Sequence, residues 1–256
     1  MKIYFAFQCH NFQHRACWML SSILQQSIWP FDIVIDIACM KNNGVPNTES
    51  IADIFRKYNL DVRLTICDNK DMFARRGLVR NVQTENAIRD KAEYIFYADA
   101  DNVYHKDFFK VLVEKLKIQG DKIHNCIYSP AKLHAMKDAS DLIINNAIEE
   151  LPYIKNAYDR AVSLPMLNIP KDKQKNGAAA GCMQIVAIED MIDKCNGIYC
   201  DDPSKDNHLF NQGQKAWSDM HFRGRIGEST KMRLPVYVHL QHTRDKDVGW
   251  HVEEQR

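Results

Sequence analysis

No C-x-x-C pair occurs in the sequence, although it contains eight cysteines. That absence argues against a zinc site, and the scattered spacing argues against a disulfide framework. Several of the cysteines (Cys39, Cys67, Cys126 and Cys182) sit inside apolar segments, as reduced, core-packed thiols do. There is no N-x-S/T sequon, and no apolar run approaches the roughly 18 residues that a membrane span requires. The opening MKIYFAFQCH reads as a strand whose apolar run is too short for a signal peptide. Together these features point to a cytoplasmic protein with no transmembrane segment. Net charge is only +1, so no global field draws the chain to nucleic acid or acidic membranes. The segment FAFQCHNFQHR holds no glycine, which removes the phosphate loop that a sugar nucleotidyltransferase needs after its first strand. No G-x-S-x-G is present either, and no cysteine has the neighbours of a nucleophile motif.

What remains is the composition of an ordinary globular protein: 256 residues, 45% hydrophobic and 26% charged. No repeat, low-complexity segment or Pro/Gly/Ser-rich linker divides the chain, which predicts a single domain over 1–256 built from two halves, 1–105 and 106–256. The first half alternates. Ile3 to Phe7 is strand-like and HRACWMLSSILQQS has helical spacing. DIVIDIAC is a second strand, and Asn47 to Tyr58 a helix with Ser50 and Asp53 at capping-box spacing. DVRLTIC, GLVRNVQTENAIRDKA and EYIFYADAD follow as strand, helix and strand. This rhythm predicts an α/β fold with a mostly parallel central sheet flanked by helices on both faces. In the second half FFKVLVEKLK reads as a helix, NCIYSP as a strand, and Asp138 to Ser163 as helical with a break at Pro152. CMQIVAI is a strand, EDMIDKC a helix and LPVYVHLQHT the last strand, while NIPKDKQKNGAAAG is expected to be a mobile loop.

Three clusters carry chemistry. The fourth strand ends in EYIFYADADNVY, where regular alternation puts Asp99 and Asp101 on one side and Ala100 on the other. Two carboxylates on one side repel, and burying either without a partner is costly, so a positive group is expected between or just beyond them. Parallel sheets bind ligands beyond the carboxyl ends of their strands, which is where this pair falls. The second cluster is Trp217-Ser218-Asp219 with Arg225 farther along, and the third is His239 and His242. Residues at i and i+3 do not share a face on a regular strand, so the histidines meet only if the chain bends after Leu240. Carboxylate oxygens with imidazole nitrogens suit a divalent ion of the Mn²⁺ or Mg²⁺ type.

These residues resemble a known group. ARRGLVRNVQTENAIRDKAEYIFYADADNVYHKDFF looks like the centre of a nucleotide-sugar glycosyltransferase of the GT-A fold, matched by Arg80-Asn81 opening a helix and by Asp99-Ala100-Asp101. The C-terminal half is similar in layout to the β-1,4-galactosyltransferases. AGCMQIVAIEDMIDKCNGI leads through a small-residue turn at Gly181 to Asn196-Gly197, and WSDMHFRGR resembles the acidic motif through Asp219 and Arg225. HLQHTRDKD resembles the metal-binding tail, and FAR at Phe73 to Arg75 resembles an F-x-R contact to the nucleotide. Two departures stand out: Ser218 replaces the family's Glu, and NQGQKAW replaces its tryptophan- and glycine-rich stretch.

The resemblance implies an inverting transfer of a hexose from a nucleotide sugar, a UDP-hexose by family habit, to a glycan or glycoconjugate acceptor. It implies Asp101, His239 and His242 as ligands of Mn²⁺ or Mg²⁺, and Asp99 on ribose or donor-sugar hydroxyls. Arg75 and Arg80 would assist the nucleotide, Asp219 would be the general base, Trp217 would stack on a sugar ring, and Gly181 would line the substrate. Competing readings are narrower. A haloacid-dehalogenase-type phosphatase carries its D-x-D on the first strand, not the fourth. A catalytically silent scaffold that binds a nucleotide sugar or glycan is the alternative that Ser218 supports.

Overall fold

Ile3, Phe5 and Phe7 face one way along the first strand, Tyr4 and Ala6 the other, and all are buried. A strand apolar on both faces belongs inside a sheet that is covered on both sides. In the computed structural model it is the middle strand. The structure describes residues 1–9, 12–27, 32–41, 47–68, 72–73, 75–119, 127–128, 132–135, 139, 142–143, 153–166, 183–202, 218–227, 232–235 and 237–240.

The central sheet comprises β1 (Lys2–Gln8), β2 (Asp32–Met40), β3 (Asp61–Cys67), β4 (Tyr94–Ala98) and β8 (Met183–Ala187), in the order β3-β2-β1-β4-β8. Its first four strands are parallel, and β8 runs antiparallel to β4. One face carries helices α1 (Gln13–Leu24), α2 (Thr48–Lys57), α4 (Phe108–Gln119) and α5 (Ala157–Ser163). The other carries α3 (Arg76–Arg89), α6 (Ile188–Cys195) and α7 (Ser218–Ile226). The expected alternation and helix-on-both-faces layering are therefore what the chain adopts. On the first face Phe5 packs edge-on against Phe96 at 4.9 Å between ring centroids, with Tyr104 and Phe109 around them. Burying each such ring stabilises the fold by about 1.5–3 kcal/mol. Trp18 of α1 is fully buried and donates its indole N–H to the Ile143 carbonyl at 3.1 Å.

Several local expectations shift. Helix α2 is capped by Asn47, whose side chain accepts from the Ser50 N–H at 2.8 Å; Ser50 supplies the backbone donor and not the cap. Asp53 pairs instead with Arg56. Beyond β4 the chain enters a second, three-stranded sheet of β5 (Asn102–Tyr104), β10 (Tyr237–His239) and β7 (Lys132–His134), in the order β5-β10-β7. A third pairs β6 (Ile127–Tyr128) with β9 (Met232–Arg233). The last strand is thus shorter than expected among the described residues, and 241–243 lie outside them. Of the helical stretch expected over 138–163, residues 142–143 are helical, 153–156 are not, and Ala157–Ser163 form α5, entered through Asn156 at φ 52°. The basic loop over 168–181 also lies outside the described residues. Among those described, the cysteines are buried and outside any disulfide, and no helix is long and apolar enough to cross a membrane.

One carboxylate lies deep under α3. Asp36 of β2 is 1% exposed and accepts from the Tyr4 hydroxyl at 2.7 Å, the Thr65 hydroxyl at 2.8 Å and the Asn86 amide at 3.3 Å. Burial raises its pKa above the ordinary carboxylate value, and these hydrogen bonds oppose that rise without cancelling it. The folded state then binds the proton more tightly than the unfolded chain. Stability attributable to Asp36 is full below an ordinary value near 3.8 and falls as pH rises through the folded value. Asp36→Asn, which cannot ionise, is expected to unfold at a higher temperature than the parent at pH 7, with the difference shrinking towards pH 4. Thermal unfolding across that range measures it.

Candidate functional site at the carboxyl edge of the sheet

Strand β4 stops at Ala98, and Asp99-Ala100-Asp101 form a turn into β5. The alternation expected for the two carboxylates fails here because the chain is no longer extended, and each acid meets a different partner. Asp99 forms an ion pair with Arg76, the first residue of α3. Asp101 is 4% exposed, and its Oδ2 lies 3.1 Å from Nε2 of His239. The approach of His239 is set by backbone pairing. It stands opposite Asn102 in the β5–β10 ladder, and the Leu240 N–H donates to the Asp101 carbonyl at 2.8 Å. Positions about 138 residues apart in sequence are thereby joined through main-chain bonds, which hold the two side chains with little freedom to separate.

The start of α3 is anchored beneath the site. Phe73 is 2% exposed against Ala38, Cys67 and Val79, and its carbonyl accepts from the Gln8 side chain at 3.2 Å. Arg75, two residues on, is exposed at the helix entrance. Gln83 donates to both the Phe7 and Asp36 carbonyls at 3.1 Å, fastening α3 to the edges of β1 and β2. Around this edge burial pushes the Cys9 and Cys39 thiols up to about 12 and the Cys67 thiol up to about 11, so they stay protonated and unreactive.

Arg80 takes a different place from the one its motif suggests. It is 3% exposed, donates to the Tyr199 hydroxyl, and lies 5.0 and 4.8 Å from the Tyr97 and Tyr199 ring centroids. Gln184 of β8 accepts from the Tyr199 hydroxyl at 2.8 Å. A guanidinium enclosed between two aromatic faces gains cation–π attraction and closes the gap between β4, β8 and the following segment. Tyr199 in turn stacks on Phe222 of α7 at 4.1 Å.

Helix α7 is held to this cage by Arg225. Its guanidinium donates to the Ile198, Tyr199 and Cys195 carbonyls at 3.0, 3.2 and 2.9 Å, and Nε lies 3.1 Å from Asp201. The Asn196-Gly197 turn makes this possible, for both residues are left-handed, at φ 53° and 71°. A Cβ on Gly197 would lie 3.1 Å from the Ile88 Cδ1, a side-chain end that can give way, so the left-handed backbone is what favours glycine here. Asn81 clamps the returning chain through both ends of its amide, to the Cys200 N–H at 2.8 Å and its carbonyl at 2.7 Å.

The structure thus brings Asp99, Asp101, Arg76 and His239 to one edge, with Arg80 directly behind in the packed interior. Asp219 lies on α7, which packs on α3 and α6, but its side chain lies outside the described residues, as do Gly181, Trp217 and His242. A carboxylate oxygen and an imidazole nitrogen 3.1 Å apart are two donor types that a borderline metal ion accepts together. In donor chemistry they fit Mn²⁺, although the described residues alone contain no group of three or more metal-type side chains. Arg76 was not marked by the sequence. Its signal is helical spacing, since residues 76 and 80 stand one turn apart at the start of α3.

No family model matches the sequence, and no curated protein matches it. Solved structures do resemble the fold. S. aureus TarS 1-349 superposes with a TM-score of 0.59 at 12% identity, covering 94% of this chain and 60% of that one. Its complex with UDP gives 0.59 at 11% identity, with 94% and 61% covered, and its complex with UDP-GlcNAc gives 0.54 at 12%, with 96% and 60% covered. The chain therefore spans about 60% of the length of these neighbours. At such identity the likeness shows the fold, which is GT-A.

Proposed function

We propose that this chain is an inverting, divalent-metal-dependent glycosyltransferase that moves a hexose from a nucleotide sugar to a hydroxyl of a glycan or glycoconjugate. The observation that carries the reading is the junction of Asp101 and His239 at the carboxyl edge of a GT-A sheet. The complexes of TarS with UDP and UDP-GlcNAc favour a UDP-sugar as donor. The galactosyltransferase-like order of Asn-Gly, Ser-Asp and H-x-x-H along the second half supports a sugar acceptor.

In this reading Asp101, His239 and His242 would hold Mn²⁺ or Mg²⁺, which would offset the negative charge of the departing diphosphate. Asp99 faces ribose or donor-sugar hydroxyls, and exposed Arg75 reaches the nucleotide. Arg80 contributes its charge from behind the site. Asp219 takes the proton of the acceptor hydroxyl as its oxygen bonds to the anomeric carbon. The bond from that carbon to the diphosphate breaks on the opposite side, so configuration inverts. Trp217 offers a ring for a sugar to stack on, and Gly181 a close approach to the substrate.

Incubation with a panel of nucleotide sugars tests the reading. Nucleoside diphosphate is expected to be released from a UDP-sugar with Mn²⁺ present and not after chelation. Nucleotide-sugar binding without release under any acceptor would instead identify a silent binding scaffold.

A further inference from the structure

At the opposite edge of the central sheet, where β1, β2 and β3 begin, a cavity of about 570 Å³ opens. Strand β1 is 7 residues long, so at about 3.3 Å per residue the cavity lies roughly 20 Å or more from the carboxyl-edge site. Its apolar lining comes from Leu24 and the buried Ile33 and Leu60. Its polar border carries one aromatic ring. Tyr58 is 46% exposed and stacks on Tyr153, with 5.2 Å between ring centroids and 28° between planes, which holds the exposed ring in one orientation. Asn59 follows in a left-handed conformation at φ 65°. A glycine would satisfy that backbone equally well, and the asparagine adds an amide to the cavity lining. Asp32 and Asn59 are exposed, and among the described residues neither side chain is used in a hydrogen bond. The neighbouring cations are engaged: Lys2 donates to the Asp90 carbonyl at 3.0 Å, and Arg63 pairs with Asp61 at 3.0 Å. A phosphate would meet carboxylates where it needs donors, so the lining suits a neutral, hydroxyl-rich ligand.

We propose that this amino-edge cavity is a carbohydrate-binding site, in which a neutral sugar ring lies on Tyr58 and its hydroxyls bond to Asp32 and Asn59. A pyranose has a face of C–H bonds and a border of hydroxyls. That pattern matches an aromatic ring and aliphatic side chains bordered by a carboxylate and an amide. One hydroxyl donates to the carboxylate in a charge-assisted bond, and another accepts from the amide N–H. No residue of the carboxyl edge takes part, so the site stands whatever that edge transfers. One consequence alone rests on the transfer reading: a long glycan held here has a raised effective concentration at the transfer edge.

Protein-observed NMR titration of the full chain with maltotetraose, cellotetraose and tetra-N-acetylchitotetraose, in chelator and without nucleotide, tests the site. At least one of them is expected to bind saturably at millimolar concentration, shifting amides around residues 32–34 and 58–61. Tyr58→Ala is expected to weaken that binding about tenfold, and Tyr58→Phe, which keeps the ring, by no more than about twofold. Asp32→Asn is expected to weaken it about fivefold, through loss of the charge-assisted bond. Asn59→Gly is expected to weaken it about threefold while keeping the fold, because glycine suits the φ of 65°. No saturable binding by any of the three sugars, or binding that Tyr58→Ala and Asn59→Gly leave at the parent affinity, overturns the proposal. Spermidine is the control: shifts at these residues with the polyamine and none with the sugars would identify a cation site and overturn it as well. Failure to turn over nucleotide sugars leaves these titrations unaffected, so the two readings fail separately.

Discussion

Asp219→Asn is expected to lower the rate of sugar transfer by about 10²–10⁴-fold, the range a positioned general base supplies. UDP affinity should stay within about twofold, because the amide preserves shape and the role proposed for the carboxylate is confined to the acceptor proton. The reason lies in how α7 is fixed. Arg225 gathers carbonyls from Cys195, Ile198 and Tyr199, and Phe222 stacks on Tyr199. Helix α7 is thereby tied to the cage around Arg80 that lies behind the two acids. A base carried on such a helix needs no rearrangement when the acceptor arrives, which is where a catalytic group gains most. Turnover at the parent rate would remove Asp219 from the chemistry. Parallel loss of UDP binding would show a structural defect instead.

Asp101→Asn should abolish metal-dependent nucleotide binding, weakening UDP in Mn²⁺ on the order of a hundredfold or more. The substitution is a sharp probe because it spares the scaffold. The hydrogen bond from Leu240 to residue 101 uses the backbone carbonyl and survives, so β10 keeps its register against β5. What is lost is the negative charge facing His239. An Asn at this position still accepts the imidazole proton but binds a divalent ion weakly, since a neutral amide oxygen lacks the charge that draws the ion from water. UDP binding in Mn²⁺ equal to the parent's would take the metal away from Asp101.

Strand and helix periodicity made the first half of the fold legible, because β1, β2 and β4 are buried on two faces and read as mostly apolar runs, while β3 at the sheet edge still alternates with helices. The D-x-D at the end of β4 was legible from topology for the same reason. Its geometry was not. Alternation holds only while the chain is extended, and β4 ends one residue before Asp99. The small sheet of β5, β10 and β7 was legible only in its last strand, because the other two are three residues long and the pairing joins distant parts of the chain. Yet this sheet is what carries His239 to Asp101. The arginines show a third limit. Arg75, Arg76 and Arg80 look alike in a string of letters, and only packing separates an exposed one, one that holds Asp99, and one enclosed by two tyrosines.

The central claim is that a divalent ion joins Asp101 and His239 to the diphosphate of a nucleotide sugar at the carboxyl edge of the sheet. A crystal grown with Mn²⁺ and UDP, measured at the manganese absorption edge, tests it most directly. The account predicts one anomalous peak at the Asp101 carboxylate and the imidazoles of His239 and His242, beside the UDP diphosphate. A manganese peak or a UDP molecule seated away from Asp101 and His239 would contradict it.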